Sequence, residues 1–408
     1  MQCGRKWKVA HDEICGWHCL TRQPLRLVCK DGIIIRKQKV SSRPPGRVWL
    51  APALFDVQVN GYGGVDFQQD NLSAEELLSA ARQLRAAGCA RFLVTLITDH
   101  WPKLMARLRH LRSLRSQSAE LQATIAGWHV EGPFLSAEPG FHGAHNPGLM
   151  CDPTPAHIRE LRLACGKDPL LLTLSPERRG ALKAIDLAVA RGIKVSLGHT
   201  NASAEVLRAA VNAGATGFTH LGNGCPRELD RHDNILWRVL ETRGLRVSLI
   251  PDGIHVSPPL FRLIHRILGA DSIYYTSDAM SAAGRPPGRY KLGSMELEVG
   301  PDQIVRQPGK SLFAGSALRP IDGIFRAAQM LGCPWQDVWA RFSQAPAALM
   351  GLRNELAVGQ PADFCVLKVR ENQLIDNRSG VGHFYTKNAL RVRACEKQGQ
   401  PGKARDRL

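Results

Sequence analysis

From residue 49 onward the sequence alternates short apolar runs with stretches of helical spacing, and it does so eight times. The strand-like runs lie at 49–59, 91–98, 123–130, 169–174, 192–198, 216–221, 245–251 and 273–276. Helical spacing follows at 73–87, 101–114, 155–165, 179–191, 203–213, 234–242 and 258–268. After an insertion rich in Gly and Pro that reaches about residue 315, it returns at 320–331 and 335–350. Ser73 is placed to cap the first of these helices, with Glu75 and Glu76 in its first turn and Gly88 beyond its end. Such alternation implies parallel strands joined by crossovers, and eight units predict a closed α/β structure, a (β/α)8 TIM-type barrel. An open doubly wound sheet would want a G-x-G-x-x-G turn after its first strand. The glycine-rich GYGG of 61–64 lacks that spacing.

The two chain ends read differently. Short β-runs at 26–29 and 33–35 flank a Lys30-Asp31-Gly32 turn, and 41–46 is a Pro/Gly linker. β-runs return at 364–369 and 373–375. Residues 1–48 and 354–390 are therefore expected to form one small β-sandwich domain built from both chain ends. Residues 49–353 form the barrel and 391–408 a basic tail.

Composition matters at four points. A 44% hydrophobic content suffices for a full core, and no apolar run is long enough to span a bilayer. The first 17 residues lack the apolar centre of a signal peptide, so a cytoplasmic protein is expected. The formal charge of +18 sits at the ends: residues 1–47 carry eleven Lys/Arg against three Asp/Glu, and 386–408 carry seven against two. With aromatics at 6%, this distribution does not make a nucleic-acid groove. The eleven cysteines are scattered without a C-x-x-C pair, and the cluster His11, Cys15, His18 and Cys19 matches no zinc-finger spacing.

The chemistry concentrates at the C-terminal ends of the predicted strands, where this architecture puts its active site. Glu131 ends the third run and opens a Gly132-Pro133 turn that leads to His142-Gly143-Ala144-His145. His199 ends the fifth run, His220 the sixth, and Asp278 the eighth, while His255 stands just past the seventh. Two imidazoles and a carboxylate form a catalytic metal set with an open water position, and Glu131, His199 and His220 fit it. Asp278 is then the candidate base that takes the water's proton and returns it to a leaving amine. His255 is the candidate donor to the carbonyl oxygen.

The stretches FDVQVNGYGGVDF (55–67), HVEGPFL (129–135), HGAHNP (142–147), VSLGHTNA (195–202), FTHLGNG (218–224), PDGIHV (251–256), TSDA (276–279), LFAGS (312–316) and GQPADFCVL (359–367) occur in order. Together they resemble the N-acetylglucosamine-6-phosphate deacetylases of the amidohydrolase superfamily, over residues 26–370. The resemblance implies removal of acetate from N-acetylglucosamine 6-phosphate. It assigns the metal to Glu131, His199 and His220, the oxyanion contact to His255 and the proton shuttle to Asp278. It implies substrate contacts at Gln58, Ala144, His145, Asn223, Gly224, Arg231, Asp252, Gly253, Ile254, His255, Phe313, Ala314 and Gly315. The phosphate falls to Arg231 together with His145. The resemblance further implies one divalent metal, Zn2+ by default with Fe2+, Co2+ or Mn2+ as substitutes, and a homodimer.

Two departures stand out. Many members of the superfamily open the barrel with His-x-His, and here Gln58-Val59-Asn60 offers neutral amides, poor ligands that imply a single metal. After His220 the family carries an aromatic, Asn, Ala and Met, whereas this chain has Gly222, Asn223, Gly224 and Cys225, which predicts a wider pocket. The readings to be separated are this deacetylase, an amidohydrolase of another N-acyl amino sugar such as N-acetylgalactosamine 6-phosphate, and a non-catalytic basic binding protein on a barrel scaffold.

Overall fold

The computed structural model describes residues 12–41, 44, 48–309, 313–370, 373–374 and 384–385. His11 and the segment 391–408 lie outside them. Eight parallel strands follow one another round the barrel: β1 (Leu54–Val59), β2 (Cys89–Ile97), β3 (Ile125–Glu131), β4 (Leu170–Leu174), β5 (Lys194–Leu197), β6 (Gly217–Phe218), β7 (Arg246–Leu249) and β8 (Ile273–Tyr275). A parallel bridge between Val59 and Ala279 joins the first strand to the chain just after the last. The Asp56 carboxylate reinforces the seam by accepting from the Thr276 hydroxyl at 2.6 Å and the Ser277 N–H at 3.1 Å.

The helices form because apolar residues recur at helical spacing and the ends are capped. In Ala74–Ala86, Leu77, Ala80, Ala81 and Leu84 face the barrel, and Ser73 and Glu76 make a reciprocal capping box. The expected helix at 335–350 is three short pieces, Trp335–Trp339, Ala340–Phe342 and Gln344–Leu349. Pro346 explains a break there, since it has no N–H to donate back along a continuous helix. A short helix, Ala119–Thr124, replaces the start of the run expected at 123–130.

The run read as one strand from 49 to 59 is two. Val48–Pro52 belongs to a seven-stranded sheet made from both chain ends, with Asp12–His18, Pro24–Lys30, Ile33–Lys39, Phe364–Arg370, Gln373–Leu374 and Phe384–Tyr385. The exchange occurs at one residue: Ala53 N–H donates to Asp363 in the outer unit, while Leu54 N–H donates to Gly88 in the barrel. The insertion before residue 315 also carries structure. Gly288–Leu292, Met295–Val299 and Val305–Arg306 form a small antiparallel sheet whose Leu292 and Met295 reach the barrel mouth. No helix among the described residues is long and apolar enough to cross a membrane.

Candidate active site

Three residues of the barrel mouth leave their strands in the same way. His199, His220 and Asp278 have φ of 51°, 34° and 52°. That left-handed region costs a non-glycine residue about 1–2 kcal/mol, and strain of this kind is held where the surrounding structure fixes a side chain for use. At His220 it also shortens the strand: the run expected over 216–221 pairs only at Gly217–Phe218 before the backbone turns.

Glu131, at the tip of β3, is the centre of the cluster. Its Oε1 lies 2.9 Å from His220 Nε2 and 3.5 Å from His199 Nε2, and it accepts from Gln58 Nε2 at 3.0 Å. All three side chains are buried, and one donor atom from each of Glu131, His199 and His220 lies within 4.8 Å of the others. Among the described residues this is the one group of His, Cys, Asp or Glu so arranged. His199 Nδ1 donates to the Phe141 carbonyl at 2.9 Å, which fixes the tautomer and leaves Nε2 as the lone-pair donor. Burial pushes the Glu131 carboxyl up, but the hydrogen bonds and charges of His199 and His220 outweigh it and hold it well below the usual range. Burial likewise opposes charge on His220, and its bond to Glu131 prevails and raises it. With their donor atoms within 4.8 Å of one another, two imidazoles and a carboxylate fit one divalent metal ion.

Asp278 accepts from Asn60 Nδ2 at 2.7 Å. Burial and then the charge of Glu131 push its carboxyl up to about 7, the range suited to proton exchange at neutral pH. His255 Nδ1 is 2.6 Å from Asp252 Oδ2, and Asp252 Oδ1 accepts the N–H groups of Ile254 and His255 at 2.8 and 2.9 Å. This turn locks the ring, and its Nε2 is buried without a hydrogen-bond partner. Glu131, His199, His220, His255 and Asp278 all line one cavity of about 360 Å³.

Set against known proteins, no family model matches the chain. The N-acetylglucosamine-6-phosphate deacetylase of Vibrio furnissii is 30% identical over 313 residues, covering 77% of this chain and 76% of the relative. The enzyme of the same name from Homo sapiens is 32% identical over 345 residues, covering 79% and 80%. The chain belongs to the N-acetylglucosamine-6-phosphate deacetylase family. A solved structure of the Mycobacterium smegmatis deacetylase, a mutant in complex with N-acetyl-D-glucosamine-6-phosphate, superposes with a TM-score of 0.81. It is 28% identical and covers 92% of this chain and 99% of that one. The enamidase of the amidohydrolase superfamily, at 12% identity and a TM-score of 0.53, shares the fold.

The remaining residues expected at the deacetylase site fall into two groups. Ala144, His145, Asn223, Gly224, Phe313 and Gly315 line the cavity. His145 Nδ1 pairs with the Thr98 hydroxyl at 2.9 Å, and burial drives its ring down to about 3. Gln58, Asp252, Gly253, Ile254 and Ala314 do not line it. Gln58 holds Glu131 from behind, the 252–254 turn orients His255, and Ala314 is buried in the core of the small mouth sheet.

Arg231 lies apart from these residues. It is exposed and outside the cavity lining, with Nε donating to His232 Nε2 at 2.9 Å, so it does not meet His145 in this chain. Next to it the chain turns at Asp230, whose Oδ1 accepts the N–H groups of His232 and Asp233 at 2.7 and 2.9 Å. Arg227 stands in the lining instead. The expected widening at Gly224 is also modified. A Cβ there would lie 2.7 Å from His199 Nδ1, so the imidazole occupies the space beside it. Asn60, read from sequence only as a missing ligand, lines the cavity and touches Asp278. His18, from the N-terminal cluster, accepts two turn N–H groups through Nδ1 at 3.2 Å.

Proposed function

We propose that the protein hydrolyses N-acetylglucosamine 6-phosphate to glucosamine 6-phosphate and acetate. The observation that carries this reading is the convergence of Glu131, His199 and His220 with Asp278 and His255 on one cavity. The chain is 30–32% identical to relatives named for that reaction.

Glu131, His199 and His220 hold one divalent cation, zinc in this proposal, with iron, cobalt or manganese suited to the same donors. When bound, it supplies Lewis-acid polarisation of the carbonyl and an acidified water. Asp278 takes the proton of the attacking water as the new C–O bond forms, then delivers it to the nitrogen as the C–N bond breaks. His255, held by Asp252, donates through Nε2 to the carbonyl oxygen as charge gathers on it. His145 and Asn223 contact the sugar phosphate.

The proposal includes a homodimer in which Arg231, exposed and outside its own cavity, serves the phosphate of the neighbouring subunit's substrate. Mixed subunits carrying Arg231→Ala and Asp278→Asn then regain activity that each lacks alone, and the absence of recovery refutes that placement. A cytoplasmic location belongs to the same reading and is supported by thiols such as Cys19, Cys89, Cys165 and Cys365 buried in the core.

Acetate release tests the substrate. N-acetylglucosamine 6-phosphate should react well ahead of N-acetylglucosamine and N-acetylgalactosamine 6-phosphate. Preference for the galacto epimer moves the substrate, equal use of the unphosphorylated sugar removes the phosphate, and no release from any of them overturns the reading.

A further inference from the structure

We infer that Asn60 serves the reaction with both ends of its carboxamide: Nδ2 fixes Asp278, and Oδ1 accepts the N–H of the scissile amide. The inference rests on the deacetylase reading above and names a role that a neutral amide at this position does not disclose by its type.

The backbone of Asn60 is pinned where the barrel closes. Its N–H donates to the Ala279 carbonyl at 2.7 Å, and its own carbonyl accepts from Phe67 N–H at 3.0 Å and from Gln68 Nε2 at 3.4 Å. The preceding residue, Val59, pairs with Ala279, the residue that follows Asp278. Asn60 and Asp278 are thus held in fixed relation by the backbone of one seam. Asn60 is 2% exposed and lines the catalytic cavity.

The carboxamide then divides its work. Nδ2 donates to Asp278 Oδ1 at 2.7 Å, a charge-assisted bond that fixes the plane of the carboxylate and leaves Oδ2 to exchange protons. Oδ1 of Asn60 is buried and has no hydrogen-bond partner among the described residues. A buried acceptor left unpaired is costly, and one in a cavity wall beside the proton-transfer group marks a place for a ligand donor. The scissile amide has one such donor, its N–H. Engaging it on Oδ1 holds the nitrogen beside the carboxylate that must protonate it and leaves the nitrogen lone pair open to that proton. Asn60 therefore ties the proton donor and the proton acceptor of the C–N cleavage step to one rigid group.

The test uses metal-loaded protein and two substrates, N-acetylglucosamine 6-phosphate and the ester analogue 2-O-acetylglucose 6-phosphate, which has no N–H. Asn60→Ala should lower kcat on the amide roughly 10- to 100-fold, with KM changed little and bound metal unchanged. Its penalty on the ester should be smaller. Asn60→Asp keeps the size but places a second carboxylate against Asp278, and should lose more kcat than Asn60→Ala. Equal penalties on amide and ester overturn the N–H contact. Asn60→Asp as active as wild type overturns the hold on Asp278. Loss of metal or of thermal stability in step with activity reduces Asn60 to a structural residue. Wild-type protein that hydrolyses neither substrate refutes the deacetylase reading itself, whereas an active wild type with unaffected variants refutes this inference alone.

Discussion

Gly143→Ala is expected to loosen the metal site without touching a ligand. Gly143 has φ of 58°, and a Cβ on it would stand 2.9 Å from His199 Cε1 and 3.3 Å from Nδ1. Gly224 Cα lies 4.0 Å from the same point, so the two glycines back the same edge of the ring. The ring has little room to retreat, because His145 and His220 flank it with centroids 4.6 and 4.9 Å away. Ordinary contact would need the imidazole to give by several tenths of an ångström, while metal–ligand distances tolerate about 0.2 Å. The left-handed backbone adds about 1–2 kcal/mol of strain for alanine. Metal affinity should therefore fall roughly 10- to 100-fold, the range seen when the support of a ligand is disturbed. Chelator competition on the purified protein reads this directly, and denaturation of the metal-free protein isolates the smaller folding cost. Unchanged affinity would show that the close approach of Gly143 does not set the position of His199.

Asp278→Asn should keep substrate affinity and one metal per chain while kcat drops roughly 100-fold or more, since the amide cannot carry the proton; wild-type turnover would remove Asp278 as the base. His129 is buried between the Thr95 and Thr173 hydroxyls, and burial lowers its ring to about 4. The unfolded chain takes up that proton first, so the stability advantage of wild type over His129→Asn should narrow by about 2 kcal/mol between pH 7 and 5. A gap in denaturation free energy that widens on acidification would contradict a neutral buried ring. Asn354→Ala leaves the Ala53 and Ser343 carbonyls, now bonded to its Nδ2 at 2.7 and 3.0 Å, without their donor. A loss of about 2–3 kcal/mol in denaturant unfolding is expected.

The barrel was legible because its strands and helices differ in apolar period, and a buried parallel strand is nearly continuous in apolar residues. A lone Glu, His or Asp at the end of such a run is conspicuous for the same reason, which is how Glu131, His199, His220 and Asp278 could be named together. The change of partners at Ala53 was not legible. The run from 49 to 59 is apolar on both sides of that point, and only long-range hydrogen bonds to Asp363 and Gly88 distinguish them. The sheet at 288–306 was hidden by the surrounding Gly and Pro, although Tyr290 to Val299 alternates about a Gly293-Ser294 turn and was a hairpin signal. The placement of Arg231 beside the side-chain turn at Asp230 is not revealed by residue spacing. Asn60 was legible only as something that does not bind metal, because the use of a carboxamide is set by what lies across the barrel seam.

The most direct test of the account is a titration of metal-stripped protein with zinc, following acetate release from N-acetylglucosamine 6-phosphate at each addition. Activity should rise in proportion and break sharply at one zinc per chain, and His199→Ala should show neither tight binding nor the rise. A break at two, or full activity in the stripped protein, would contradict a single cation held by Glu131, His199 and His220 as the centre of the reaction.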